Sequence, residues 1–148
     1  MNEKNLKPAS VFYYFEEICQ VPRPSKREEK IIAYLKAFGR KHGLETKTDE
    51  VGNVLIKKPA TPGKENLKTV ILQSHIDMVC EKNSDVEHDF LIDPIDTVVD
   101  GEWLKAKGTT LGADNGIGVA TELAILAATD IEHGPLECLF TVDEETGL

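Results

Sequence analysis

The sequence predicts an α/β fold in which a mixed sheet is flanked by helices, and three observations lead to it. Helix-period stripes and strand-like runs alternate along the chain instead of segregating into separate blocks. The run Thr69-Val70-Ile71-Leu72-Gln73 is almost continuously apolar, as expected of a strand buried on both faces. The length, 148 residues of which 41% are hydrophobic, suits one domain with a core and is short for two.

The elements follow in order. Phe12, Phe15, Ile18 and Cys19 form a helical stripe that stops before Pro22 and Pro24, where the chain must become extended. Ser25 with Glu28 three residues on forms a capping-box pattern. Ile31, Leu35 and Phe38 then recur on one face until Gly43, which predicts a second helix over about 26–42. Runs at 44–48 and 54–58 flank a Gly52-Asn53 turn and read as neighbouring strands, and 59–63 reads as a surface loop. The strand at 69–73 is followed by a polar stretch, 81–89, that reads as a loop. Asp100-Gly101, between Thr97-Val98-Val99 and Trp103-Leu104-Lys105, is a hairpin signal of the type I′ kind. Ile117, Ala120, Leu123, Ala124 and Ala127 mark a helix of small residues, and 136–142 is a last strand-like run that ends at Asp143-Glu144-Glu145. There is no internal repeat and no low-complexity segment.

Composition narrows the partners. Lys and Arg number 17 against 26 Asp and Glu, and a net charge of −9 opposes a phosphate backbone or an anionic membrane surface. Nucleic acid and membrane are therefore not expected partners. No stretch approaches the roughly 20 apolar residues of a membrane span. The start, Met1-Asn2-Glu3-Lys4-Asn5, leads into no apolar core of signal-peptide length, so a cytoplasmic soluble protein is expected. Cys19, Cys80 and Cys138 are odd in number and form no C-x-x-C pair; they read as buried thiols of a reducing compartment.

Three clusters carry the chemistry: His75-Ile76-Asp77, Gly112-Ala113-Asp114-Asn115-Gly116 and Asp143-Glu144-Glu145-Thr146-Gly147. Each falls at a strand exit or in a loop leaving the sheet, where open α/β sheets bind ligands. A His-x-Asp at a strand end can supply an imidazole ligand, His75, and the carboxylate that orients it, Asp77; the alternative is a surface His beside a helix-capping Asp. Asp114, flanked by two glycines, lies where the backbone approaches something closely. It could bridge two cations about 3.5–4 Å apart, or else cap the helix that starts near Ile117. Glu144 and Glu145 repel each other unless a cation or a proton intervenes, and in extended backbone they point in opposite directions. One would then bind metal and the other act as general base, the alternative being an exposed acidic turn. Taken jointly the clusters favour a metal site, and the mixed N and O ligands suit zinc, with cobalt or manganese as alternatives.

The segments Val21-Pro22-Arg23-Pro24-Ser25, Gln73-Ser74-His75-Ile76-Asp77-Met78-Val79, Gly108-Thr109-Thr110-Leu111-Gly112-Ala113-Asp114-Asn115-Gly116-Ile117-Gly118 and His133-Gly134-Pro135-Leu136-Glu137 carry a resemblance. They resemble the co-catalytic zinc peptidases, a family of aminoacylases, carboxypeptidases and dipeptidases, and within it the aminoacyl-histidine dipeptidase branch. The third segment is the most specific, and the resemblance covers nearly the whole chain. It implies His75 as terminal ligand of one zinc, Asp114 as bridging carboxylate, Glu145 as ligand of the second zinc, Glu144 as general base and Asp77 as the carboxylate holding His75. It implies hydrolysis of Xaa-His dipeptides, with two zinc ions as cofactor and a small peptide as substrate.

In that family a further carboxylate and a distal His ligand come from beyond the Glu-Glu motif, as does a lid or dimerisation domain, and this chain ends at Leu148. The expectation is an N-terminal portion of a zinc-peptidase catalytic domain, inactive alone and a homodimer when full length. Two alternatives remain: a related aminoacylase, carboxypeptidase or tripeptidase, and a non-catalytic binding module of the same fold. His42, His88 and His133 are assigned to no metal.

Overall fold

The computed structural model describes residues 6–147; the start at Met1 to Asn5, taken from sequence as no signal segment, and the end at Leu148 lie outside the described residues. The elements are α1 (Ala9–Cys19), α2 (Glu29–Lys41), β1 (Glu45–Thr48), β2 (Val54–Lys58), β3 (Val70–His75), β4 (Thr97–Asp100), β5 (Trp103–Ala106), α3 (Ala113–Ala127) and β6 (Leu136–Thr141). Four strands form a sheet in the order β1-β2-β6-β3, and β4 and β5 form a separate hairpin. The β1–β2 and β2–β6 pairs are antiparallel and β3–β6 is parallel, so the predicted mixed sheet is present.

One face of the sheet is covered. Register places Val54 opposite Phe140, Ile56 opposite Cys138, and Cys138 beside Leu72, all on the same side. There α1 and α3 pack together, and Phe15, Ile18, Leu123, Val54, Ile56 and Phe140 are each at most 1% exposed. Side chains of this size contribute roughly 1.5–3 kcal/mol each when buried. Lys58 reaches from the same face to the end of α3, donating to the Ile125 and Ala128 carbonyls at 2.9 and 2.5 Å, where a cation also meets the negative end of the helix dipole. On that side too, Gly39 of α2 lies so close to the Thr46 hydroxyl that no Cβ would fit between them. The opposite face carries Leu55, Lys57, Ile71, Gln73, Glu137 and Leu139, which are half-buried or exposed.

Three sequence expectations are corrected. The strand predicted over 69–73 is not buried on both faces: β3 is an edge strand, Val70 and Ile71 are 49% and 62% exposed, and burial begins at Ser74 and His75. An apolar run signals burial only where something lies on both sides, and among the described strands β3 pairs with β6 alone. The second helix starts at Glu29 rather than Lys26 and no side-chain cap forms, because Ser25 and Glu28 bond elsewhere. In the hairpin Asp100 pairs with Trp103, so the two-residue loop is Gly101-Glu102. Positive φ falls on Gly101 (+60°) and not on Glu102, which fits a type II′ turn instead of type I′.

Cys19 and Cys138 are buried free thiols as expected, while Cys80 is half-buried. Cys138 faces Glu122 of α3, and burial, together with the neighbouring carboxyl, pushes the thiol up to about 12. Glu122 is 4% exposed, and its Oε2 lacks a well-aligned hydrogen-bond partner. Burial raises its carboxyl from 4.5 to about 7, and the nearby Ser74 hydroxyl and Cys138 thiol pull the other way too weakly to prevent it. The folded protein thus holds a proton that the unfolded chain releases near pH 4.5, so Glu122 costs stability progressively as pH rises from about 4.5 through 7. Replacing Glu122 with Gln is expected to raise the unfolding free energy by on the order of 2–3 kcal/mol at pH 8, and by less than about 1 kcal/mol at pH 4.5. Urea denaturation at the two pH values checks this; a difference that does not change with pH contradicts it.

Candidate functional site

The parallel pairing of β3 with β6 brings two of the three clusters together. His75 pairs with Thr141 at the carboxyl ends of both strands, and the Ile76 N–H donates to the Thr141 carbonyl at 2.8 Å. The loop before α3 supplies the third cluster, and Asp114 Oδ1 stands 3.1 Å from His75 Nε2. His75, Asp77, Asp114, Glu144 and Glu145 therefore meet at one end of the sheet, where the chain leaves parallel strands.

Asp77 sits beneath this group, fully buried. Its Oδ2 accepts from the Ser25 hydroxyl at 2.7 Å and the Glu145 N–H at 3.1 Å, and its Oδ1 from the Glu144 N–H at 3.1 Å. His75 Nδ1 lies 3.2 Å from the same Oδ1. Burial alone would push the Asp77 carboxyl up; the hydrogen bonds from Ser25, Glu145 and Glu144, and then the charge of His75, outweigh it and hold the group below the usual carboxylate range. An ionised Asp77 keeps the proton of a neutral His75 on Nδ1 and leaves Nε2 with a bare lone pair. That lone pair faces Asp114 at 3.1 Å and Glu144 Oε2 at 3.7 Å. Acceptors that converge with no hydrogen between them need a cation or a shared proton to relieve their repulsion.

A turn fixes the glutamates, which corrects the expectation that extended backbone at Glu144 and Glu145 points them in opposite directions. β6 ends at Thr141, and Asp143 takes a left-handed φ of +56°, which Asp tolerates better than most residues. The Glu28 carboxylate accepts the Asp143 N–H at 2.9 Å, and the Thr146 hydroxyl donates to Asp143 at 2.7 Å. Both glutamate amides then point at Asp77, and a turn rather than strand alternation places the two side chains. Glu145 offers an oxygen that lies, with one atom each from His75 and Asp114, in a group spanning at most 4.8 Å. Glu144 lines a cleft of about 700 Å³ with Glu28, Gln73, Thr141 and Asp143, a cleft that His75, Asp114 and Glu145 do not line.

Asp114 does not cap its helix. Gly112, with φ +68°, occupies the N-cap position without a side-chain cap, and Asp114 and Asn115 have non-helical backbone. The Asp114 side chain is 89% exposed, free to serve a ligand. A second acidic group, Glu28, Asp77 and Asp143, also falls within 4.8 Å, but Glu28 and Asp77 are occupied by backbone N–H donors. The remaining histidines stand apart from both groups: His42 packs on Phe38, His88 on Phe90, and His133 bonds the Gly134 carbonyl. Ser25 and Glu28 escaped the sequence reading because their spacing imitates a capping box, and no signal in the sequence separates the two uses.

The donor set of one imidazole nitrogen and two carboxylates, with the imidazole oriented from behind by Asp77, fits a zinc-like cation. No protein-family model matches the chain. The chain is 52% identical over 143 residues to the cytosol non-specific dipeptidase of Escherichia coli (strain K12), a match covering 97% of this chain and 30% of that protein. Its fold is that of the corresponding part of the aminoacylhistidine dipeptidase from Vibrio alginolyticus, with a TM-score of 0.94 and 55% identity over 97% of this chain and 29% of that one. A tripeptidase from Staphylococcus aureus is 26% identical with a TM-score of 0.73, over 93% of this chain and 37% of that one. The chain thus spans about 30% of the length of the curated relative, and the resemblance to aminoacyl-histidine dipeptidases read from the sequence stands. No described helix is long and apolar enough to cross a membrane.

Asp77→Ala strips four donors of their acceptor and is expected to destabilise the protein by roughly 2–4 kcal/mol, while Ser25→Ala, which removes one donor, costs about 1 kcal/mol. Urea unfolding of both variants checks the order; equal small losses would contradict a central place for Asp77.

Proposed function

We propose that this chain is the N-terminal portion of the catalytic domain of a cytosolic metallodipeptidase. The observation that carries the reading is the convergence of His75 Nε2, Asp114 and Glu145 in front of an Asp77-held imidazole. The names of the relatives support it, since one is a cytosol dipeptidase and the other an aminoacylhistidine dipeptidase. His75 would hold one zinc ion, Glu145 a second, and Asp114 both; cobalt or manganese would suit the same donors. When bound, such ions lower the pKa of water and polarise a carbonyl.

The protein's own groups do the rest. Asp77 keeps His75 Nε2 bare and its ring fixed, and its bonds to the two amides set where Glu144 and Glu145 point. Glu144, open to the cleft and 3.7 Å from His75 Nε2, takes the proton of the attacking water and delivers it to the leaving amine as the peptide bond breaks. The substrate is a small peptide. Xaa-His dipeptides are the expected class, and the relative's description as non-specific favours acceptance of other dipeptides as well. A further carboxylate, a distal His and a lid or dimerisation domain would come from outside these 148 residues. The chain alone would then be inactive, and the full-length enzyme a homodimer.

The full-length protein is expected to carry about two zinc ions per chain and to cleave Xaa-His dipeptides. Glu144→Ala should keep the metal and lose turnover by roughly 10²–10⁴-fold, whereas His75→Ala should lose metal as well. Metal analysis and a dipeptide panel read both. Unimpaired turnover by Glu144→Ala would sink the assigned base, and a metal-free, inactive full-length protein would favour a binding module.

A further inference from the structure

We infer that Arg23 is a positioning residue of this site, its guanidinium setting the spacing between the turn that carries His75 and Asp77 and the loop that carries Asp114. The inference rests on the metallopeptidase reading and deepens it. Arg23 is 2% exposed, between two prolines that restrict the backbone on either side. Its own carbonyl accepts the Met78 N–H at 3.1 Å, which pins the segment beside the His75 turn. From there Nη1 donates to the Ile76 and Asp77 carbonyls, each at 3.2 Å, and Nη2 donates to the Gly112 carbonyl at 2.6 Å.

These acceptors lie at both shoulders of the 3.1 Å gap between His75 and Asp114: residues 76 and 77 directly follow the imidazole, and 112 precedes the carboxylate by two. A planar guanidinium can hold two chain segments at a set separation because its donors diverge in a rigid fork, which a single ammonium cannot reproduce. Burial weighs against the charged form, and the negative charges of Asp77 and Glu145 are among those that favour it. A permanent cation under a cluster of carboxylates also limits their mutual repulsion before any metal enters.

The glycines around Asp114 fit the same account. A Cβ on Gly112 would come within 2.6 Å of Arg23 Nη2, and a Cβ on Gly116 within 2.7 Å of the same atom. The close approach that the glycines announce is therefore to the arginine. Gly116 has no positive φ, so alanine there is strained by the guanidinium and its packing neighbours rather than by the backbone.

The test compares full-length wild type with Arg23→Lys and Gly116→Ala, reading zinc affinity by chelator competition and the visible spectrum of the cobalt-substituted protein. Arg23→Lys is expected to weaken zinc binding at least tenfold and to shift or weaken the cobalt bands, and Gly116→Ala to shift the bands in the same sense. Folded variants with wild-type zinc affinity and cobalt spectrum, losing only melting temperature, would show that Arg23 merely holds the fold and would overturn the inference. If Arg23→Lys does not fold, an unshifted cobalt spectrum in Gly116→Ala overturns it alone. Failure of the metallopeptidase reading shows instead in the wild type, as absence of zinc and cobalt binding.

Discussion

Asp77 is fully buried, so both of its oxygens must be satisfied by the protein, and the donors it finds come from three separate segments of the chain. The Ser25 hydroxyl arrives from the segment between α1 and α2, the His75 ring from the end of β3, and the Glu144 and Glu145 amides from the turn after β6. A buried carboxylate with four donors is expensive to disturb, because each lost bond leaves a buried polar group without a partner. The geometry at the end of the sheet follows from this: the imidazole is fixed in one orientation, and the two glutamates are held at a turn that brings both carboxylates to the His75 side, Glu144 also lining the cleft.

The topology makes that arrangement accessible. A parallel β3–β6 pair places two strand exits side by side, and α3, packed on the covered face, starts from a loop that reaches the same end. The covered face supplies the rigidity, through a core of aromatic and aliphatic side chains from α1, α2, α3 and the strands. The polar segment Arg23 to Glu28 bonds to each of the three clusters: Arg23 to Gly112, Ser25 to Asp77 and Glu28 to Asp143.

Much of this was legible in the sequence, for identifiable reasons. Hydrophobic period located the three described helices and the strands β2 and β6, because each buries one stripe or one face, while the Asp100-Gly101 turn announced the β4–β5 hairpin. The rule that ligands gather at strand exits was enough to group His75, Asp77, Asp114, Glu144 and Glu145. Less visible was anything set by tertiary partners. The exposure of Val70 and Ile71 depends on which strand lies beside β3, not on their own apolarity. Ser25 and Glu28 carry the spacing of a cap yet spend their hydrogen bonds on Asp77 and Asp143. Glu122 belongs to an apolar helical stripe, and only the packing shows a carboxyl turned inward against Ser74 and Cys138.

His75, Asp114 and Glu145 would serve the same metal centre, and anomalous diffraction at the zinc edge from crystals of the full-length protein tests this most directly. The predicted result is two peaks about 3.5–4 Å apart, one bonded to His75 Nε2, the other to Glu145, and both to Asp114, at about 2.0–2.2 Å. Zinc bound elsewhere, or His75 still paired directly with Asp114 in crystals saturated with zinc, would contradict it.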